Sequence, residues 1–233
     1  MKKTCAIVQP HYLPWIGYFD LIKKVDTFVF LDDVKYVKRE WKNRNKIRKT
    51  PTSNDFKWIS IPITKKHSDF NINEAKISIS ENVWKKEHTQ SIKEVYEFAP
   101  FFNEFASEIF DLINQKGSHF LSDLNIKLIE KGCELLKIKK NFVRSSEFNI
   151  QAANKEYRLI EICKKLKINT YIANNKTYEM VDLSKFKENN IDIEAQNFNQ
   201  TKYIQKYKSQ NLQWLSNLSW IDFIFNAGDS NWN

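Results

Sequence analysis

The sequence predicts an α/β protein: an N-terminal parallel βαβ (Rossmann-like) sheet with a helical middle segment. Three observations carry that prediction. Residues 4–9 (Thr-Cys-Ala-Ile-Val-Gln) are an apolar run of strand type, and Thr27–Leu31 (Thr-Phe-Val-Phe-Leu) is a second, β-branched and aromatic. Between them the apolar spacing becomes helical, with Ile16, Phe19 and Ile22 on one side. From about residue 82 to 137 the pattern is that of successive amphipathic helices.

Each element follows from local chemistry. Pro10 and Pro14 hold the chain after the first strand in extended or turn geometry, because proline fixes φ and restricts its predecessor. Strand, loop, short helix and strand make a βαβ unit, whose second strand should run parallel to the first. Residues 56–63 alternate as a further strand, and 71–80 form a weaker one through Ile72, Ile77 and Ile79. A helix over 82–99 places Trp84, His88, Ile92, Val95 and Tyr96 near one face, and Pro100 stops it. Amphipathic helices over 103–115 and 121–136 follow. Then come a short strand at 141–143, a helix at 156–166, and strands at 170–173 and 191–198. No repeat, low-complexity linker or Pro/Gly hinge divides the chain, so one domain with a helical insert over about 82–137 is expected.

Composition narrows the function classes. With 42% hydrophobic residues, 17 Phe, 9 Tyr and 7 Trp, 233 residues can bury a core without covalent staples. Only four glycines occur, so neither GxGxxG nor GxxxxGK[ST] is present, and any bound phosphate must meet side chains or a plain helix N-terminus. Cys5, Cys133 and Cys163 are too scattered for a zinc site or a disulfide framework, and read as reduced, mostly buried thiols of a cytoplasmic protein. No signal peptide or span of about 18 apolar residues is seen. The net charge of +9 is concentrated: residues 35–49 hold eight Lys or Arg against one acid, Glu40, a local +7. Such a patch predicts an anionic partner, whether phosphate groups, nucleic acid or an acidic lipid surface.

The chemistry-bearing residues gather in Gln9–Asn45. Gln9 and Asp32-Asp33 stand at the carboxyl ends of the first two strands, where open parallel sheets bind ligands. Asp32 and Asp33 suit metal binding, hydroxyl binding or base catalysis; neighbours on a strand point to opposite faces, which argues against a shared-proton pair. Residues 9–19 pack two prolines, a glycine and the aromatics Tyr12, Trp15, Tyr18 and Phe19 into a rigid loop, suited to stacking a base, sugar or planar acyl group or simply to capping the core. Lys38, Arg39, Trp41, Asn43, Arg44 and Asn45 combine cations with amides and an aromatic. Arg offers a planar fork for phosphate and Asn both donor and acceptor, so an anion clamp is read here; a solvated basic loop is the plain alternative. Histidine is the natural general base near neutral pH, and His88 and His11 are the candidates, against His67 in a polar loop and His119 near a helix start. Ser145-Ser146-Glu147 follows a strand and could line the same rim, as could Asn174–Tyr178.

The segments Gln9–Phe19, Leu31-Asp-Asp-Val34 and Lys38-Arg-Glu-Trp-Lys-Asn-Arg-Asn45 resemble the WbqC-like family. The resemblance extends through Trp84 and His88, Ser145-Ser146-Glu147, Tyr203-Ile-Gln205 and Ser219–Asn226. It implies a place in bacterial O-antigen and related surface-polysaccharide assembly, with glycyl or other aminoacyl transfer to sugars as the activity suggested for such proteins. Two positions depart from the family pattern: Lys35 stands where glutamine is usual, and Ala173-Asn174-Asn175 where a Ser-Gly loop is frequent. The opening βαβ with Gly17-Tyr-Phe also resembles the start of nucleotidylyltransferase-like folds such as pantothenate synthetase, which would imply ATP. The paired histidines of that group are absent between Pro14 and Tyr18.

Three functional expectations result. The first is N-acyl transfer to a nucleotide-linked amino sugar. Lys38, Arg39 and Arg44 would hold the diphosphate, Tyr12 and Trp15 would stack, and Asp33 or His88 would take the amine proton, with Gln9, Asp32, Trp41, Asn43, Asn45 and Ser146 lining the substrate. The second is an RNA-binding protein using the 35–49 patch, Arg48 included. The third is a non-catalytic scaffold presenting Trp220, Phe223 and Phe225 on its surface.

Overall fold

The structure, a computed structural model, describes residues 2–64, 70–78, 83–117, 119–207 and 212–229. These divide into two compact units. The first comprises residues 1–9, 17–34 and 139–199, and the second 10–16, 35–138 and 200–233.

The first unit is a parallel sheet of five strands in the order β5-β2-β1-β6-β7: β1 Thr4–Val8, β2 Thr27–Phe30, β5 Asn141–Arg144, β6 Thr170–Ala173 and β7 Asp192–Ala195. The fold is the expected Rossmann-like α/β arrangement. In β1 both faces are covered, with Cys5, Ala6 and Ile7 all buried, which is why a continuous apolar run rather than an alternating one marks it. A clasp sets the β1–β2 register: Asp26 accepts from Thr4 N–H and Oγ1 at 2.9 Å each, and Cys5 pairs with Thr27. On the β2–β5 side, Phe28, Phe30 and Phe142 form an aromatic layer, Phe30 stacking on Phe142 at 5.4 Å. Helix α5 (Lys155–Lys165) buries Leu159, Ile160, Ile162 and Cys163 in a core shared with Cys5, Ile7, Val29, Tyr171 and Phe186. The thiols of Cys5 and Cys163 lie 3.7 Å apart in that core, and Cys133 is a buried free thiol too.

Local capping explains two helices the sequence pattern passed over. Asn174 accepts from Thr177 N–H at 2.9 Å and starts α6 (Asn175–Met180), so the segment read as a rim loop is helical. Asp182 accepts from Ser184 N–H at 3.0 Å and starts α7 (Leu183–Glu188). Both helices are six residues long, too short for apolar periodicity to show.

The second unit holds the helical segment: α2 (Val83–Tyr96), α3 (Phe102–Asn114) and α4 (Leu121–Leu135), packed in succession, with α8 (Trp220–Ala227) against α3. The buried residues of α2 are Trp84, His88, Ile92, Val95 and Tyr96, the face its periodicity predicts. Residue 82 of the predicted helix and residues 79–80 of the weak strand lie outside the described residues. Within 71–78 the chain is a short 3-10 turn at Ile72–Glu74 with single bridges, not a strand, since Asn71 and Glu74 close a capping box there. Residues Arg44–Arg48, to which the sequence pattern gave no element, form strand β3, paired antiparallel with β4 (Phe56–Ser60) from Arg44↔Ser60 to Arg48↔Phe56.

The C-terminal segment is held by buried polar contacts. Asp222, fully buried on α8, accepts from Tyr203 Oη at 2.6 Å, Gln205 Nε2 at 2.8 Å and Tyr207 Oη. Burial pushes its carboxyl up in pKa, and the hydrogen bonds oppose the shift. Trp220 and Phe225 are fully buried and Phe223 nearly so, which corrects the expectation of an exposed contact surface. Phe225 packs with Phe102 and Tyr96, the apolar partners that α8 needs on nearly every side.

Candidate functional site

The predicted site residues fall in both units. Gln9, Asp32, Asp33 and Ser146 belong to the first; His11, Tyr12, Trp15, Lys38, Arg39, Trp41, Asn43, Arg44, Asn45 and His88 belong to the second.

In the first unit the carboxyl rim of the sheet is polar and ordered by its own hydrogen bonds. Leu31 N–H still donates to Val8 O, but the chain then bends, so the alternation of a strand no longer applies to Asp32 and Asp33. Both carboxylates meet at one hydroxyl. Ser145 Oγ, just past β5, donates to Asp33 Oδ1 at 2.5 Å and has Asp32 Oδ1 at 3.3 Å, while accepting from Asp32 N–H at 3.1 Å. That convergence corrects the expectation that the pair would face apart. Asp32 also accepts from Ser146 N–H and Oγ, each at 3.0 Å. It is fully buried, and desolvation raises its pKa against those hydrogen bonds. Asp33 is different. Its other oxygen accepts from Arg158 at 2.7 Å, and its side chain keeps 16% of its surface open.

Asp32 therefore ties β2 to the turn after β5, and Asp33 is the carboxylate a solute can reach, with lone pairs left to accept further N–H or O–H donors. Sequence reasoning missed Arg158 and gave Ser145 little weight. Arg158 is 125 residues from Asp33 and has no local signature; the only hint at Ser145 was a polar triplet directly after a strand. Strand order places Gln9 at a reversal: the chain steps from β1 to β2 on one side and returns to β6 on the other. Gln9 follows β1 at that switch point, where parallel sheets open a crevice for ligands, and its carbonyl accepts from Tyr18 Oη at 3.0 Å.

In the second unit the 10–15 loop is pinned from several directions. Asn45, 1% exposed, donates to Tyr12 O at 3.1 Å and Leu13 O at 2.6 Å. Ser219 Oγ donates to Leu13 O at 2.8 Å, and Trp220 N–H to Pro14 O at 2.7 Å. Asn125, a polar residue inside the apolar stripe of α4, donates to Pro10 O at 2.9 Å and Lys42 O at 2.7 Å. These ties hold Leu13 at φ 41, a left-handed conformation that a bulky residue rarely adopts.

Tyr12 is fully buried and shares a hydrogen bond with His88 Nδ1 at 2.9 Å, so it supports the loop from within and offers no face for ligand stacking. His88 is buried, and its ring also bonds the backbone of Ser60. Desolvation lowers its pKa to about 4, leaving it neutral at pH 7 as a two-ended tether. His11 is lowered to about 3, first by burial and then by the Lys42 ammonium. Trp15 is half-buried and bridges to Ser219. His67 lies outside the described residues.

The predicted clamp separates into inward and outward parts. Asn43 donates to Ile61 O at 2.9 Å and Asn45 is sealed in, so neither amide is presented to a ligand. Arg48, counted with the surface patch, is fully buried; it donates to Ser53 O, Gln205 Oε1 and Gln213 O and lies 4.3 Å over the Tyr207 ring. Lys38, Arg39 and Trp41 are exposed and Arg44 is half-buried.

Among the described residues no helix is long and apolar enough to cross a membrane. No solved structure matches the chain. A similar protein is "Uncharacterized protein Rv1507c" of Mycobacterium tuberculosis, 32% identical over 228 residues, which cover 98% of this chain and 95% of the relative. The family model described as "WbqC-like protein family" matches residues 9–233, and membership suggests a polysaccharide-related role. From the aromatic loop at its start to the buried α8 at its end, this chain belongs to the WbqC-like protein family.

Proposed function

We propose that the protein is a transferase of bacterial surface-polysaccharide assembly that moves an acyl group, glycyl or another aminoacyl, onto the amine of a nucleotide-linked amino sugar. The reading is carried by the partly open Asp33 carboxylate, fixed between Arg158 and Ser145 at the sheet's carboxyl rim. Asp33 accepts the N–H of the acceptor amine and takes its proton as the nitrogen attacks the acyl carbonyl carbon. A C–N bond forms, and the donor's leaving group departs with the electron pair. Asp32 acts through Ser146 as a positioning residue, and Gln9 contributes an amide at the switch point.

The test combines a thermal-shift screen against nucleotide-linked amino sugars and ATP with a mass assay for the acylated product. A bound ligand raises the melting temperature, and Asp33→Asn lowers turnover about a hundredfold while leaving the fold intact. Absence of both binding and turnover with every acyl donor tried would sink the proposal.

A further inference from the structure

The solvent face of the β3–β4 hairpin brings aromatic rings and cations together. Its alternate residues Arg44 and Lys46 on β3 stand across from Ser60 and Trp58 on β4, while Ile47 and Ile59 point into the core. Trp41 leans on Trp58 at 5.3 Å and Phe56 on Trp58 at 6.1 Å. All three rings are open to solvent, at 40%, 37% and 37% exposure. Lys46 Nζ sits among them, 4.2 Å from the Phe56 ring, 5.2 Å from Trp58 and 5.7 Å from Trp41, and the Arg44 guanidinium lies 4.0 Å over Trp58. Exposed aromatic rings in mutual contact are a cost in water that a partner would remove.

We propose that this face is a membrane-contact surface that takes the headgroup layer of anionic lipids. Charge complementarity gives the sign. Lys38 and Arg39, three and two residues before Trp41 in the chain, are exposed, and among the described residues neither they nor Arg44 and Lys46 pair with a carboxylate. The nearby acids are already answered, Glu40 by Lys42 and Asp55 by Lys49 at 3.4 Å. Aromatics and long cations side by side match the headgroup level, where rings reach toward the acyl boundary and cations meet phosphate.

Single-stranded nucleic acid is the competing polyanion, and the geometry disfavours it. A base needs a bare ring face on which to stack. Here cations lie over the ring faces, and neighbouring rings are turned by 49° and 88° instead of standing parallel.

Co-sedimentation of the full chain with vesicles tests the proposal. Binding is expected to phosphatidylcholine vesicles that carry phosphatidylglycerol, not to phosphatidylcholine alone, and should fall as salt is raised. Arg44→Gln with Lys46→Gln should weaken it about 25-fold, about fivefold for each cation near the surface. Lys165→Gln with Lys167→Gln, the same charge loss in the first unit, should leave it unchanged. Trp41→Ala with Trp58→Ala should also weaken it, and melting temperatures show that each variant is folded; should that aromatic variant not fold, the Gln pair decides. The proposal is overturned by equal binding to both vesicles, by no binding, or by equal losses in the two Lys/Arg variants. Retention of single-stranded RNA that anionic vesicles cannot displace would overturn it too.

Discussion

His88 should make the protein lose stability on the acid side of neutrality, and replacing it should remove a defined part of that loss. Its folded-state pKa is about 4, lowered by burial, against about 6.5 for an unperturbed histidine. Between those values the unfolded chain binds a proton that the folded chain refuses. The contribution is therefore complete above pH 6.5 and is lost progressively as the pH falls toward 4. That lowering corresponds to about 3 kcal/mol in full, of which about 2 kcal/mol should already be gone at pH 5.

Urea unfolding of wild type and His88→Gln at pH 7.5 and pH 5 measures this directly. His88→Gln gives up the fit to Tyr12 and Ser60 and should be less stable at pH 7.5, yet its drop between the two pH values should be smaller by about 2 kcal/mol. His11, also lowered, contributes to both proteins and cancels in the comparison. An equal pH dependence in the two proteins would refute the account of His88 as a neutral buried tether.

Other consequences can be measured by melting. Asn45→Ala removes donors from Tyr12 O and Leu13 O in a sealed site and should cost about 2–4 kcal/mol, releasing the strain at Leu13 as altered near-UV circular dichroism. Gly228 caps α8 at φ 70 and ψ −167, and an added Cβ would lie 3.1 Å from the Phe101 ring. Gly228→Ala should therefore cost about 1–3 kcal/mol, or several degrees of melting temperature; an unchanged midpoint would contradict that geometry. Trp220→Ala should cost about 3–5 kcal/mol because the ring is wholly buried, whereas a surface tryptophan would cost almost nothing.

Much of this was legible because it is local. The apolar runs of β1 and β2, the helical spacing between them and the buried stripe of α2 are written in neighbouring residues, and periodicity reads them without knowledge of partners. The position of Asp32 and Asp33 follows from the same run ending. The basic patch was visible as charge, but its division was not. Arg44 and Lys46 face solvent while Arg48, on the same strand face, is swallowed by acceptors from residues 205 and 213, more than 150 positions away.

By itself, then, the sequence determined a parallel α/β core, a helical middle, a polar strand end and a cationic segment, since each depends on composition and spacing over a few residues. The tertiary structure alone decided which of the polar residues are sealed inside and which stay open to solvent. It buried Tyr12, Asn45, His88 and Asp32, left Asp33 partly open beside an arginine from α5, and left Trp41, Phe56 and Trp58 exposed at the β3–β4 hairpin. The physical reason is that a polar side chain's role is set by where its partners come from. Desolvation is tolerated only when distant donors and acceptors arrive to satisfy the group, and no local pattern encodes their arrival.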